Sequence, residues 1–108
     1  MESFPVFINI KDKPVTIIGG GDIALRKVRL LIKVGPKITV ISKVICRELK
    51  ELLTQHNHQI IQKSFQVSDL KAPILIIAAT NNIKINKQIS ILAQKKNILI
   101  NVVDQPQL

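Results

Sequence analysis

The chain has 108 residues, 46% hydrophobic and only 3% aromatic, with 16 Lys and Arg against 7 Asp and Glu for a formal net charge of +9. That length suits one domain with its own core, and the apolar share excludes a disordered chain. The longest apolar run, Ile74 to Ala79, has six residues, against the roughly 20 that a membrane-spanning helix needs. Met1-Glu2-Ser3-Phe4-Pro5 lacks the basic-then-apolar order of a signal peptide. Cys46, the lone cysteine, excludes an internal disulfide and fits a cytoplasmic location.

The charge, with a pI near 10.1, admits nucleic acid, a membrane surface or a polyanionic small molecule as partner. A mix rich in Ile, Lys and Asn, as AT-biased codons produce, accounts for it equally well. Three Phe and no Tyr or Trp supply no stacking platform, which argues against nucleic acid; no membrane partner is expected either.

In chain order, Phe4 to Ile10 is apolar with a proline, and Lys11-Asp12-Lys13-Pro14 turns the chain. Val15 to Ile18 reads as the first core strand. The stretch Ile18-Gly19-Gly20-Gly21-Asp22-Ile23-Ala24 then fits G-x-G-x-x-G/A between a strand and a helix, the context this dinucleotide-binding fingerprint requires. Gly19 permits the tight turn, Gly21 lets a pyrophosphate approach the backbone, and Ala24 packs the helix on the strand. The helix start offers unpaired N–H groups to phosphate. Asp22 to Val34 reads as that helix, with Ala24, Val28, Leu31 and Gly35 on one face and Arg26, Arg29 and Lys33 on the other. Gly35-Pro36 stops it.

Lys37 to Ser42 reads as strand two. A helix follows with Ile45, Leu49, Leu52 and Leu53 on its inner face, and Cys46 is an inert member of that pattern. Gln59 to Gln62 reads as strand three. Ser64 to Pro73 is a connection whose Phe65, Val67 and Leu70 are expected to pack on the sheet. Ile74 to Ala79, with no alternation, reads as a strand buried on both faces. Thr80-Asn81-Asn82 can cap the next helix, whose inner face is Ile85, Ile89, Leu92 and Ala93. Ile98 to Val103 reads as strand five. The alternation predicts an α/β fold: a Rossmann-like, doubly wound, mostly parallel five-stranded sheet in the order 3-2-1-4-5.

Ligands of such sheets bind beyond the carboxyl ends of the strands, at the switch point. The loops delivered there are Gly19 to Ile23, Ser42 to Val44, Thr80 to Asn82 and Asn101 to Asp104. The adenosine end is expected over strand two and the nicotinamide end near Thr80 and Asp104. An NAD site usually carries an acid about 20 residues beyond the glycines, and here Ser42 and Lys43 stand in its place. From chemistry alone this weakens NAD and leaves NADP open. Asp104, the only acid beyond Asp69, sits at a strand end suited to proton transfer or to capping a turn. His56 and His58 read as exposed helix-end residues, and no metal-ligand cluster is apparent.

Phe4-Pro5-Val6-Phe7, Ile17 through Leu31 with its Gly-Gly-Gly-Asp-Ile-Ala-Leu-Arg-Lys core, Ile77-Ala78-Ala79-Thr80-Asn81-Asn82, and Asn101-Val102-Val103-Asp104-Gln105-Pro106 together resemble the amino-terminal domain of siroheme synthases. These belong to the precorrin-2 dehydrogenase/sirohydrochlorin ferrochelatase family. The resemblance spans essentially the whole chain as one NAD-binding domain, 1–108. It implies NAD-dependent oxidation of precorrin-2 to sirohydrochlorin, and in many members iron insertion to give siroheme. It implies NAD without the strand-two acid, cofactor contacts from Asp22, Ile23, Lys43 and Val44, and an aspartate, Asp104, active in both reactions. Gly19, Gly20, Gly21, Ser42, Thr80 and Asn82 complete the expected cofactor site. Asn81 and Asn82 depart from the family's acids.

A substrate with eight carboxylates would give the positive charge a role. The family's helical dimerisation segment and further domain, which carry part of its homodimer contact and tetrapyrrole site, have no counterpart in these residues. A regulatory or sensor module that binds NAD(P) without catalysis is the alternative reading of the same fingerprint. A sensor would more often keep the missing acid.

Overall fold

The computed structural model describes residues 4–103. Five strands, β1 (Pro14–Ile18), β2 (Lys37–Ile41), β3 (Gln59–Ile61), β4 (Leu75–Ala78) and β5 (Leu99–Val102), form one sheet. Its order is β3-β2-β1-β4-β5, with every pairing parallel. Three helices, α1 (Asp22–Ile32), α2 (Arg47–Gln55) and α3 (Ile83–Lys95), link the strands, and a short 3-10 turn (Val67–Asp69) lies between β3 and β4. This is the predicted fold and strand order.

Side chains alternate across a strand, and the apolar runs therefore feed two cores. On one face Val15, Ile17, Val40 and Ile77 meet Ala24 and Val28 of α1 and Leu49 and Leu53 of α2. On the other, Ile18, Ile76 and Ala78 meet Ile89 and Ala93 of α3. β4 contributes to both, as its unbroken apolar run predicts. Phe65 and Leu70 pack on the α3 face, closing the crossover as expected, but Val67 is left exposed. Arg29 of α1 pairs with Glu48 of α2 across the outer layer. Both side chains are more than half exposed, so the pair contributes little.

Several boundaries differ from the pattern reading. The first helix stops at Ile32, because the N–H groups of Val34 and Gly35 both turn back to Leu31 O, at 2.9 and 3.1 Å. Gly35 then takes φ +92, the left-handed stop that glycine favours. Ile45 and Cys46 precede α2 rather than joining it. Cys46 is the extended N-cap residue, and Ile45 packs on the core from the loop. On α3 the inner face is Asn86, Ile89 and Ala93, whereas Ile85 is 40% exposed.

His58 also departs from its reading as an exposed helix end. It is half-buried, and its Nδ1 accepts the Ile38 N–H of β2 at 3.2 Å. Burial first, and the neighbouring His56 second, push its pKa below the ordinary 6.5. A lowered histidine pKa means that the unfolded chain binds more protons in this window. Stability is therefore expected to be full above about pH 6.5 and to fall as the pH drops through the folded value. Urea midpoints measured across that range check this; His58→Gln should flatten the slope.

Candidate nucleotide-binding site

The glycine loop crosses the carboxyl end of the sheet at its centre, where β1 lies between β2 and β4. Each glycine answers a different demand. Gly19 has φ +138, and a Cβ there would lie 2.2 Å from Ala79 O. Its N–H is held by Ile41 O at 3.1 Å. Gly20 faces the loop after β2: a Cβ would meet Val44 O at 2.1 Å and Ile45 Cα at 2.9 Å. Gly20 O accepts the Cys46 N–H at 2.7 Å, which locks the two loops together. Gly21 alone has nothing within 4 Å of a built Cβ.

Gly21 is also the N-cap of α1, and no side chain caps this end. An open backbone face beside a helix N-terminus is the arrangement that receives a phosphate. Ala24 is fully buried, as close packing of helix on strand requires.

Two clefts open beyond the strand ends and meet at Gly19, Ser42 and Thr80. The smaller, about 330 Å³, wraps the glycine loop and takes Val44, Cys46, Ala79 and Asn81. The larger, about 630 Å³, lies on the α3 face, between the ends of β1 and β2, the connection after β3, and α3. Ile18, Ile41, Phe65, Val67, Ile85 and Leu92 make it largely apolar, with Ser64, Gln66 and Gln88 as polar groups. Among the described residues, Lys43 is the one charged side chain lining either cleft.

The wall formed by Gln66 and Val67 is braced from behind. Lys63 Nζ donates to Asp69 Oδ1 at 2.8 Å, and the Gln66 N–H donates to Asp69 Oδ2 at 2.7 Å. The hydrogen bond from Lys63, then that from the Gln66 backbone, holds the Asp69 carboxyl below its usual range.

Of the residues expected at the site, Gly19, Gly20, Gly21, Ser42, Lys43, Val44 and Thr80 line one or both clefts. Ser42 does not have a free proton for a ribose, since its hydroxyl donates to Val44 O at 2.8 Å. Asp22 is exposed and Ile23 half-buried. Both sit in the first turn of α1 and line neither cleft.

Asn82 caps the next helix, as its place in Thr80-Asn81-Asn82 predicts, and lines neither cleft. Its Oδ1 accepts the N–H groups of Lys84 at 3.0 Å and Ile85 at 3.2 Å, which caps α3, and Asn81 is the neighbour that reaches the smaller cleft. Asp104 lies outside the described residues. Val103 N–H still bonds to Ala78 O at 3.1 Å, so β5 stays tied to β4 up to that point. Pattern reading did not place Phe65, Gln66 and Gln88 at a cleft; the hydrophobes of the β3–β4 connection were the signal for the first.

A doubly wound parallel sheet with this glycine loop at its switch point is a dinucleotide-binding domain. Comparison with known proteins agrees. A family model whose description reads "Putative NAD(P)-binding" matches residues 6–108, and the chain belongs to that family. The solved structure of "SirC, precorrin-2 dehydrogenase" superposes with a TM-score of 0.80 at 26% identity, covering 97% of this chain and 51% of that one.

Among curated proteins, the siroheme synthase of Ruthia magnifica subsp. Calyptogena magnifica is 44% identical over 108 residues, which is all of this chain and 23% of that protein. The siroheme synthase of Thioalkalivibrio sulfidiphilus is 41% identical over 108 residues, all of this chain and 22% of that protein. The chain thus spans less than a quarter of the length of these curated relatives. No helix among the described residues is long and apolar enough to cross a membrane.

Proposed function

We propose that this chain is the NAD-binding part of a precorrin-2 dehydrogenase acting in siroheme biosynthesis. The observation that carries the reading is the open backbone face at Gly21, set at the switch point of a sheet like that of a precorrin-2 dehydrogenase. The open face at Gly21 and the main-chain N–H groups of Asp22 and Ile23 at the start of α1 would hold the pyrophosphate. The larger apolar cleft, with Lys43 in its lining, would hold the adenosine end, and Thr80 would border the nicotinamide end.

NAD, when bound, accepts a hydride from the reduced macrocycle. The chain's part is to orient the two rings and keep water out. Asp104 takes the proton that leaves the macrocycle as it gains a double bond. Net charge of +9 draws a multiply carboxylated tetrapyrrole to the mouth. The cytoplasm is its compartment, and iron insertion into sirohydrochlorin is a second activity to assay.

The test is a chimera in which this chain replaces the matching segment of the Ruthia magnifica siroheme synthase. Supplied with precorrin-2 and NAD, it should produce NADH. A chimera that binds NAD and forms no NADH would overturn the catalytic reading. Titration with NADP alongside NAD settles cofactor choice: with no acid beside Lys43, NADP should bind within about tenfold of NAD.

A further inference from the structure

Asn86 of α3 is buried and lines neither cleft. It is 4% exposed, and with Thr16 it makes up the buried polar residues among those described. Asparagine is a poor helix-interior residue, and a buried carboxamide costs stability unless its groups are bonded. Here they are bonded, and all to one residue. Asn86 Oδ1 accepts the Thr80 N–H at 3.2 Å and the Thr80 hydroxyl at 2.5 Å. Asn86 Nδ2 donates to Thr80 O at 3.1 Å. The Thr80 hydroxyl in turn accepts the Asn82 N–H at 3.2 Å.

Thr80 lines both clefts. Its amide nitrogen lies 3.2 Å from where a Gly19 Cβ would stand, so it faces the glycine loop at contact distance. We propose that Asn86 is a positioning residue of the cofactor site. Its carboxamide reads both main-chain groups of residue 80 and holds the β4–α3 loop at the spacing from the glycine loop that the cofactor requires, before the cofactor arrives. The proposal rests on the dinucleotide reading above. A leucine at this position of α3 would fill the same core without polar groups to satisfy, so the asparagine is explained by what it does to Thr80.

Asn86→Asp supplies the test, because an acid imitates the amide only when protonated. The neutral carboxyl can donate to Thr80 O and accept from its N–H; the carboxylate accepts only and repels that carbonyl. Burial raises the pKa of the introduced acid. NAD affinity is measured by calorimetry from about pH 5.5 to about pH 8.5, with the thermal midpoint recorded at each pH. At the acid end the variant should bind within about twofold of the parent chain, and at the alkaline end about tenfold or more weakly while still folded.

A ratio of the two affinities that stays constant with pH overturns the proposal. A parent chain that binds no NAD defeats the dinucleotide reading itself, a distinguishable outcome. Should the variant unfold, hydrogen exchange on the parent chain decides. The Thr80 amide should be protected like a strand amide without NAD, and exchange at the rate of an open loop overturns the proposal.

Discussion

Gly19→Ala should unfold a large share of the chain at physiological temperature and abolish NAD binding, while Gly21→Ala should leave a folded chain that binds NAD poorly. The two residues stand one apart in the same loop, so the contrast isolates what each contributes. At position 19 a methyl group meets Ala79 O at 2.2 Å and the carbonyl carbon at 2.6 Å, on a backbone already at φ +138. Neither neighbour is a flexible side chain that can step aside. Backbone strain in that region costs about 1–3 kcal/mol, and forced overpacking adds about as much again, a large part of the stability of a chain this size.

At position 21 the added methyl meets nothing within 4 Å, and the backbone is extended, so alanine loses only glycine's modest advantage as an N-cap, about 1 kcal/mol or less. The methyl does fill the face where the pyrophosphate is placed, and NAD affinity should fall about tenfold or more. Thermal unfolding and calorimetric titration measure both sides. Parent-like NAD affinity in Gly21→Ala would mean that the phosphates lie elsewhere.

Asp104→Asn should cut NADH formation from precorrin-2 by about 100-fold or more, the usual share of a general acid or base, and leave the NAD dissociation constant within about twofold. Asparagine keeps the shape and hydrogen-bonding reach of the side chain but cannot hold the departing proton. The pH dependence of the rate should change with it, because a group that titrates in the parent chain is gone. Rates are read in the chimera and affinity in the isolated chain. Unchanged turnover would remove Asp104 from proton transfer; lost NAD affinity would place it against the cofactor instead.

Much of this was legible in the sequence, for identifiable reasons. The strand order followed from the alternation of strands and helices, because right-handed crossovers leave few arrangements. Gly19 and Gly21 were assigned from the fingerprint, which encodes a turn and an approach. Gly20 was expected at the site as well, but not the reason it must be glycine, since that depends on Val44 and Ile45, which come from a loop far along the chain. Asn86 was invisible for a related reason. A polar residue beside Ile85 and Ile89 breaks the apolar stripe, and only the three bonds to Thr80 make burial favourable. The cap of α3 was legible too: Asn82 follows a strand end and precedes an apolar helical pattern, and its side chain accepts the Lys84 and Ile85 N–H groups. Asp104, expected through the resemblance, lies outside the described residues.

The close approach of Gly19 to Ala79 also has a kinetic meaning. The central strand takes its neighbours from opposite directions along the chain, and β4 is reached only after β2, α2 and β3 have passed. Until β4 docks beside β1 there is no carbonyl for Gly19 to press against and no Thr80 to complete the mouth. Closing the nucleotide cradle therefore requires a contact of long sequence separation, the kind associated with slow folding. NAD should accordingly act as a clasp: it should slow unfolding more than it speeds refolding, and a chain nicked between α2 and β4 should lose the cofactor before it loses its helices.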